Sequence, residues 1–319
     1  MNGFGRIFRI NIFGESHGSV LGVCIDCCNA GMKLCENDFI NDISRRKSGT
    51  KGTTARIEND IPKIVSGVFD GYTTGAPITI LFNNNDTESA DYLQFKTQPR
   101  PSHADFVATK KFNNFNDYRG GGHFSGRLTL PLIVAGVVAK KMIPNINITA
   151  NPIGSDMHSA IENAIADGDS IGGIIECTAT NIPIGLGEPF FDSVESQIAH
   201  LAFAIPAVRG IEFGAGFAAA NMLGSQHNDA IIDEWGKTAT NHAGGVVGGI
   251  TNGNDLVFRI VVKPASSISK TQRSFDFAQN KISELTIHGK HDACIALRAS
   301  VVVEAITAIV LADFMLLKK

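Results

Sequence analysis

Histidines beside small or charged residues recur in four glycine- or proline-containing segments of this chain. The segments are GESHG (residues 14–18), RPSHADF (100–106), DYRGGGHFSGR (117–127) and GKHDACIALR (289–298). An unperturbed imidazole titrates near pH ~6.5, so His17 and His103 are candidate general acids. A single histidine is more often structural, but these two lie in polar turns that no hydrophobic core would require. The pattern therefore indicates acid/base chemistry.

A run of basic residues offers partners for an anion. Arg45, Arg46 and Lys47 are consecutive, and Lys51 follows shortly after them. Guanidinium groups bind phosphate and carboxylate through two parallel hydrogen bonds. The run is therefore either a binding patch for a small anionic molecule or an ordinary solvated face, and its composition alone leaves both readings open.

The last of the four segments places charges ahead of a long apolar stretch. His291 and Asp292 lie between Lys290 and Arg298. Cations and a base at the start of a helix suit an anion site, and the alternative is a capping aspartate with surface ion pairs. These residues alone predict a soluble enzyme that uses histidine acid/base chemistry on a phosphate or carboxylate substrate.

Composition and missing motifs exclude several other classes of protein. The net charge is −3 over 319 residues, which argues against a general nucleic-acid binder. The sequence has no Walker loop, no G-x-G-x-x-G after a strand, no H-E-x-x-H and no nucleophile elbow. Cys24 and Cys27 have Cys-x-x-Cys spacing but lack a second pair, so we expect no metal site and ordinary reduced thiols.

The termini indicate a cytoplasmic protein. The sequence begins without the apolar segment of a secretory signal. The longest apolar stretch, residues 299–317, contains Glu304 and Asp313, and both carboxylates would be costly in lipid. This stretch is therefore predicted to be a buried core helix rather than a membrane span.

The elements that must position these residues alternate irregularly along the chain. Hydrophobic periodicity predicts strands at 9–13, 63–69, 77–82 and 256–263, and helices at 38–47, 130–142, 194–204, 214–223 and 301–317. Thr129 is expected to cap the second of these helices, and Asp192 or Ser193 the third. No Pro/Ser-rich linker divides the chain, so we expect one α+β domain spanning residues 1–319.

The motifs together resemble the chorismate synthase family nearly from end to end. Further matching strings are SGVFDGYTTGAPI (66–78), GDSIGG (168–173), GLGEP (185–189), IPAVRGIEFGAGF (205–217) and NHAGGVVGGITNG (241–253). On its own, the glycine run within the last string could approach a flat ring or a phosphate, but close sheet packing explains it better. The strings occur in the family's order, which makes the resemblance highly specific.

The resemblance implies a reaction, a cofactor and a fold. The family converts 5-enolpyruvylshikimate 3-phosphate into chorismate and phosphate, the last step of the shikimate pathway. This anti-1,4-elimination needs reduced FMN although it has no net redox change. The family fold is a β-α-β sandwich with helices between two antiparallel sheets, and it assembles as a homotetramer. We expect an external flavin reductase, with NADPH as a source of reductant.

The resemblance also implies roles for individual residues. His17 matches the acid near the reduced flavin, His103 the acid near the leaving phosphate, and Asp292 the aspartate that assists removal of the substrate's C6 proton. Ser16 and Ser125 match serines around flavin and substrate. The implied flavin contacts are His123, Phe124, Ser125, Pro206, Ala207, Gly248, Lys263, Pro264, Ala265, Ser266, Ser267 and Lys290. The implied contacts to substrate or NADP anions are Arg45, Arg46, Lys51, Arg127 and Arg298.

The chain departs from the family pattern at a few positions. His123 and Phe124 stand where many members have Arg-Ser, and Lys290 and Lys51 stand where arginine is common. Lysine keeps the charge but loses the two-pronged hydrogen bonding. The region 143–167 is shorter than in typical members, which could alter a flap or a subunit contact.

Two alternatives to a monofunctional lyase remain. One is a bifunctional enzyme that also reduces FMN with NADPH, although the sequence shows no added nicotinamide-binding motif. The other is a non-catalytic relative that binds FMN or an anion. The presence of His17, His103 and Asp292 argues against the second alternative.

Overall fold

Two antiparallel sheets enclose a layer of apolar helices in the computed structural model. The model describes residues 2–47, 49, 52–53, 60–84, 90–289 and 291–318. Strands are numbered in chain order. The first sheet has the order β1-β2-β3-β7-β4 and the second β10-β13-β9-β8, so the fold is α+β, as predicted.

The strands of the two large sheets have the following bounds. The first sheet contains β1 (Gly3–Phe4), β2 (Arg9–Gly14), β3 (Val20–Asp26), β7 (Ile78–Asn83) and β4 (Lys63–Ser66). The second sheet contains β10 (Val208–Phe213), β13 (Leu256–Val262), β9 (Gly173–Thr180) and β8 (Asn147–Ile153). In β13, Leu256, Phe258, Ile260 and Val262 are buried at alternate positions, as expected for a strand with one face on the core.

Three two-stranded ladders and seven helices complete the described elements. The ladders pair β5 (Val68–Phe69) with β6 (Tyr72–Thr73), β11 (Val246–Val247) with β12 (Ile250–Thr251), and β14 (Gln272–Asp276) with β15 (Lys281–Leu285). The helices are α1 (Asn37–Arg46), α2 (Asp105–Lys111), α3 (Thr129–Met142), α4 (Met157–Ala166), α5 (Val194–Ala202), α6 (Gly224–His227) and α7 (Ala296–Leu317). Short 3-10 segments occur at Ala90–Lys96, Arg119–Phe124, Gly126–Leu128, Phe190–Asp192 and Gly216–Asn221.

Helices α3 and α7 form the centre of the sandwich. They pack against each other, with β2 and β3 beside α3 and with β8 and β9 beside α7. A Cβ at Gly136 would lie 2.5 Å from the Ala305 Cα, so only glycine allows the two helices to approach this closely. One cluster of buried side chains runs from Phe8 to Phe314 through both sheets and these helices.

Helix α7 is long and apolar enough to cross a membrane, but it lies in the protein core. Within its most apolar window, 78% of the helix is buried inside the protein. Asp313 accepts hydrogen bonds from the backbone amides of Arg6, Ile7 and Phe8 at 2.7–2.8 Å. This contact joins the chain's N-terminal segment to α7, and the prediction of a core helix is confirmed, although α7 begins at Ala296 rather than near Val301.

Several local predictions differ from the structure. The segment predicted as a helix at 214–223 is a 3-10 turn, because Gly214 and Gly216 both have φ of 53°, which the α-helix does not allow. The predicted strand 63–69 is interrupted at Gly67, where φ is 81°. Thr129 does not cap α3: its hydroxyl donates to the Gly126 carbonyl instead. Ser193 caps α5 as expected, by accepting from the Ser196 amide.

Candidate active site

A cavity of about 680 Å³ collects segments that are far apart in the sequence. Its wall includes the N-terminal strand around Phe4, the turn at His103, the glycine-rich segment 120–126, the end of α5 and the start of α7. This volume lies in the range of small-molecule sites in proteins. Apolar side chains such as Leu132 and Ile295 form part of the wall, with polar groups at separate points.

Many of the residues predicted from the sequence lie on this wall. They are His103, His123, Phe124, Ser125, Pro206, Ala207, Lys263, Ala265, Ser266, Ser267 and Asp292. Pro264, Gly248, Ser16 and His17 are not wall residues. The predicted cations Lys51 and Lys290 lie outside the described residues.

His103 is held by the two charged residues of its own motif. Its Nδ1 lies 2.6 Å from Asp105 Oδ1 and 3.1 Å from Arg100 Nη2. Burial lowers the pKa of His103, and the charges of Arg100 and Lys263 lower it further, whereas Asp105 raises it. The neutral imidazole is therefore favoured in the protein without ligand.

His17 lies behind the glycine-rich segment rather than on the cavity wall. Its ring is buried and packs edge-on against Tyr92, with 5.2 Å between the ring centroids. Gly120, which is a wall residue, has φ of +56°, and a Cβ there would lie 2.5 Å from His17 Cδ2 and 2.7 Å from Ser16 Oγ. Only glycine therefore lets His17 and Ser16 approach the cavity this closely.

Arg46 and Arg127 share one buried carboxylate beside the cavity. Arg46 Nη1 lies 3.3 Å from Asp60 Oδ2, and Arg127 Nη1 lies 2.9 Å from Asp60 Oδ1. Arg46 also donates to Thr129 Oγ1 and to the carbonyl of Gly126, and both of these residues line the cavity. Asp60 therefore joins Arg46 of α1 to Arg127 of the glycine-rich motif beside the cavity.

Arg45 points into a different environment from its neighbour. Its guanidinium forms two hydrogen bonds, of 2.6 and 2.7 Å, with Glu304 of α7. Glu304 is buried and also pairs with Lys140 at 3.0 Å, while it accepts from the Ala150 amide. The structure therefore places Arg45 in a core ion-pair network and not with the residues of the cavity wall.

His291 and Asp292, just before α7, lie on the cavity wall, and Arg298 pairs with Asp292 from the first turn of the helix. Arg298 Nη1 contacts both carboxylate oxygens of Asp292, at 2.9 and 3.2 Å, and Arg298 Nε donates to the Arg46 carbonyl. His291 lines the cavity, and its buried Nε2 has no hydrogen-bond partner among the described residues. Burial, followed by the charge of Arg100, lowers the pKa of His291. A buried polar atom of this kind needs a ligand or water to satisfy it.

Another part of the wall combines a lysine, two serines and strained backbone. Lys263 Nζ donates to Ser266 Oγ at 2.6 Å, and Arg100 Nη1 donates to Ser267 Oγ at 3.0 Å. Burial lowers the pKa of Lys263. Ala207 has φ of 74°, an uncommon value for a residue with a side chain. Its carbonyl accepts from the Lys263 amide, which ties the two wall segments together.

The variant pair His123 and Phe124 is built into the wall. His123 Nδ1 lies 3.0 Å from the Gly14 carbonyl, and its Nε2 lies 3.1 Å from Asn2 Oδ1. Phe124 packs against Phe112 with 6.3 Å between ring centroids. His123 thus joins the glycine-rich segment to the N-terminal segment, and the aromatic ring adds apolar surface to the wall.

The sequence analysis missed several residues that the structure brings to the site. Asp60 follows a basic run, but its pairing with two arginines depends on a contact across the fold. Tyr92 lies in a segment for which no element was predicted. Arg100 and Asp105 flank His103, and this short spacing was an available signal that they would interact with it.

The described part of the chain contains no set of side chains suited to bind a metal ion. No three histidine, cysteine or carboxylate side chains are grouped there in a way that could hold a metal ion. All six cysteines, including Cys24 and Cys27, are free thiols.

Fold and site together define an α+β sandwich protein with histidines on the wall of a cavity large enough for a small molecule and with arginines beside that wall. The chorismate synthase family model matches residues 8–153 and 151–316. The chain therefore belongs to the chorismate synthase family, which acts in the shikimate pathway and in aromatic amino acid biosynthesis. The two matched segments meet within the region 143–167 that the sequence analysis found to be short.

Individual relatives agree with this assignment. A chorismate synthase of Chitinophaga pinensis is 60% identical over 324 residues, covering 100% of this chain and 98% of the relative. A chorismate synthase of Pyrococcus abyssi is 42% identical over 347 residues, covering 99% and 98%. A crystal structure of a chorismate synthase superposes with a TM-score of 0.76 at 26% identity, over 99% of this chain and 93% of that chain. The predicted fold class is confirmed.

Proposed function

We propose that this chain converts 5-enolpyruvylshikimate 3-phosphate into chorismate and phosphate by an anti-1,4-elimination that depends on reduced FMN. The observation that carries the proposal is a cavity that joins His103, Ser125 and Asp292, which come from three separate motifs, with Lys263, which follows β13. A phosphate ester that also carries carboxylates needs cations, a proton donor and a base, and these groups meet there. The family membership supports the same reaction.

The cavity fits a flavin in both shape and chemistry. Its apolar wall can take a flat ring, while Lys263, Ser266 and Ser267 offer hydrogen-bond donors and a positive charge. The unpartnered Nε2 of His291 and the strained backbone at Ala207 are further signs of a site shaped for a ligand. When bound, reduced FMN would supply the electron density that assists departure of phosphate.

The proposed flavin contacts follow the family resemblance. On the wall they are His123, Phe124, Ser125, Pro206, Ala207, Lys263, Ala265, Ser266 and Ser267. Pro264 is the backbone link between two of them, and Gly248 and Lys290 remain proposals from the resemblance alone. The substrate anions are assigned to Arg46, Arg127 and Arg298, with Lys51 proposed from the resemblance.

The chain's own residues divide the proton transfers. His103 delivers a proton to the leaving phosphate, whose negative charge would favour the protonated imidazole at that moment. Asp292 assists removal of the C6 proton and is oriented by Arg298. His17 is the acid assigned to the flavin side by the resemblance, and its ring lies next to Gly120, as does the Ser16 hydroxyl. The elimination thus removes one proton and one phosphate, with no net oxidation.

We further propose that the chain is one cytoplasmic domain that assembles as a homotetramer and receives reduced flavin from an external reductase. Phe190, Phe191 and Phe217 are 87%, 90% and 83% exposed, and Trp235 is 74% exposed. Large exposed aromatic side chains of this kind favour burial between subunits. Size-exclusion chromatography with light scattering should give four times the chain mass, whereas a monomer at micromolar concentration would contradict this assembly.

Anaerobic turnover of 5-enolpyruvylshikimate 3-phosphate with dithionite-reduced FMN tests the reaction. Chorismate absorbance and phosphate release should rise at equal rates. Flavin binding without either product would favour the non-catalytic alternative. Turnover in air with only FMN and NADPH, and no added reductase, would favour the bifunctional alternative.

The histidines are tested by substitution. We expect His103→Ala and His17→Ala each to lower turnover by ~10²–10⁴-fold with the fold intact, since this is the usual contribution of a positioned acid/base group. Circular dichroism and thermal unfolding provide the check on folding. Near wild-type rates in both variants would remove these residues from the mechanism.

A further inference from the structure

Asp105 lies between the histidine and the arginine of its own motif. Its Oδ1 contacts His103 Nδ1 at 2.6 Å, and its two carboxylate oxygens accept from Arg100 Nε and Nη2, both at 2.8 Å. The side chains of Asp105 and Arg100 are 7% and 5% exposed. Arg100 is fixed in turn by the Phe95 ring, 4.4 Å from its guanidinium carbon, and by Ser267. The carboxylate is therefore held rigidly beside the imidazole.

Asp105 is ionised over the whole physiological pH range. Burial alone would raise the pKa of Asp105, but hydrogen bonds from Arg100 and His103 outweigh it and hold the pKa well below its ordinary value. An ionised carboxylate only accepts hydrogen bonds. A carboxylate oxygen 2.6 Å from His103 Nδ1 therefore favours a proton on that nitrogen.

Two other contacts compete for the same nitrogen. Arg100 Nη2 lies 3.1 Å and the Asp105 amide 3.3 Å from His103 Nδ1, and both of these groups are donors. They would need Nδ1 as an acceptor. The carboxylate contact is the shortest of the three and is charge-assisted, so the carboxylate determines the tautomer.

We propose that Asp105 is a positioning residue that keeps the His103 proton on Nδ1, leaves Nε2 for the ligand in the cavity, and is itself neutralised by Arg100. This inference rests on the proposed function, in which Nε2 exchanges a proton with the leaving phosphate. Arg100 also affects the charge of the His103 imidazole. By offsetting the Asp105 charge, it lets the carboxylate orient the imidazole without fixing a permanent positive charge on it.

The tautomer is testable without turnover. In ¹⁵N-histidine NMR spectra of the ligand-free protein above pH 8, the His103 signals should show Nε2 as the unprotonated nitrogen. In Asp105→Asn, the side-chain amide can donate to Nδ1, so the unprotonated nitrogen should become Nδ1. Asp26→Asn is the matched control, because Asp26 also pairs with an arginine, Arg9 at 2.7 Å, but neither residue lines the cavity.

Kinetics test the consequence for the reaction. Asp105→Asn should lower kcat by about 10²-fold with KM little changed, while Asp105→Glu should recover part of the loss. Among the described residues, the charged groups facing His103 are Asp105, Arg100 and Lys263, and of these only Asp105 raises its pKa. The limb of the pH profile that belongs to His103 should therefore move to lower pH in Asp105→Asn.

The outcomes separate this inference from the proposed function. The same tautomer in wild type and Asp105→Asn, or a wild-type proton on Nε2, would overturn the positioning role even if turnover is normal. Lack of turnover in the wild type with the expected tautomers would leave the positioning role standing and reject the reaction. If Asp105→Asn fails to fold, the wild-type tautomer and the Asp105→Glu rates provide the test. A wild-type proton on Nε2, or an unchanged kcat in Asp105→Glu, would then overturn the positioning role.

Discussion

Two adjacent arginines of α1 carry the same charge but serve different parts of the molecule. Arg45 is bound to the core carboxylate Glu304, whereas Arg46 is bound to Asp60 and to groups on the cavity wall. The side chains of Arg45 and Arg46 are 39% and 6% exposed. Charge and sequence position therefore do not distinguish the two residues, but the direction of each guanidinium does.

This difference predicts opposite phenotypes for two equivalent substitutions. Arg45→Lys should leave KM for the substrate close to wild type and lower the free energy of unfolding by about 1 kcal/mol, because the two-pronged contact with Glu304 is lost but Lys140 remains. Arg46→Lys should raise KM about 10-fold. Steady-state kinetics measure KM for each variant, and urea unfolding measures its free energy of unfolding. A raised KM in Arg45→Lys but not in Arg46→Lys would mean that Arg45, and not Arg46, binds the substrate.

The cysteines differ in reactivity for a simple physical reason. Burial raises the pKa of Cys28 to about 11 and that of Cys177 to about 12. Because the thiolate is the reactive form, these two should resist thiol reagents in the folded protein. Cys27 and Cys35 are exposed and should react first with 5,5′-dithiobis(2-nitrobenzoate). Rapid labelling of Cys177 without denaturant would contradict the buried position.

At the scale of elements, the glycine-rich segment around Gly120 separates His17 from the cavity. Gly120, Gly121 and Gly122 all have positive φ, with values of 56°, 81° and 54°. Such backbone is readily available only to glycine, so the segment can pass over buried side chains without adding a Cβ between them and a ligand. The distance between His17 and a bound molecule is therefore set by this segment.

Gly120→Ala should lower kcat although it removes no catalytic group. The added Cβ would meet His17 and Ser16 at 2.5–2.7 Å, so at least one of these side chains must move. Gly71→Ala is the matched control, because Gly71 also has positive φ, of 78°, but has no atom within 4 Å of the added Cβ. Both variants carry the backbone cost of about 1–2 kcal/mol. An equal kcat in the two variants would show that the contact has no role.

At the scale of the whole molecule, one buried carboxylate joins several layers of the sandwich. Glu304 of α7 contacts Arg45 of α1, Lys140 of α3 and the Ala150 amide of β8. Burial raises the pKa of Glu304, but the hydrogen bond from Arg45 and the charge of Lys140 outweigh it, so the pKa is below the ordinary value of 4.5. The ionised form therefore stabilises the folded protein.

The sign of this linkage gives a test. A carboxyl with a lowered pKa contributes full stability above pH 4.5 and loses it as the pH falls through its folded pKa. Glu304→Gln should lower the free energy of unfolding by about 2–3 kcal/mol at pH 7, somewhat less than removal of a fully buried ion-pair partner. The difference from wild type should shrink below pH 4.5. A constant difference between pH 7 and pH 4 would mean that the charge is irrelevant.

The sequence by itself identified the family and located several of the large elements, and it predicted acid/base and anion-binding chemistry. Hydrophobic periodicity is a local property, so the strand β13 and the core helix α7 were predictable from the sequence. Motif strings identify a family because each string can be recognised without knowing which residues it contacts in the fold. The prediction of a helix at 214–223 was wrong because periodicity carries no information on backbone angles. Gly214 and Gly216 have positive φ, and the segment forms a tighter turn.

Only the tertiary structure decided which charges meet. Asp60 pairs with Arg127 across 67 positions and Glu304 with Arg45 across 259, and no local pattern encodes such partners. Periodicity indicates that a side chain is buried but not what it contacts. The placement of His17 behind Gly120 was fixed in the same way, because it depends on how a strand-following turn and a distant glycine-rich segment pack together.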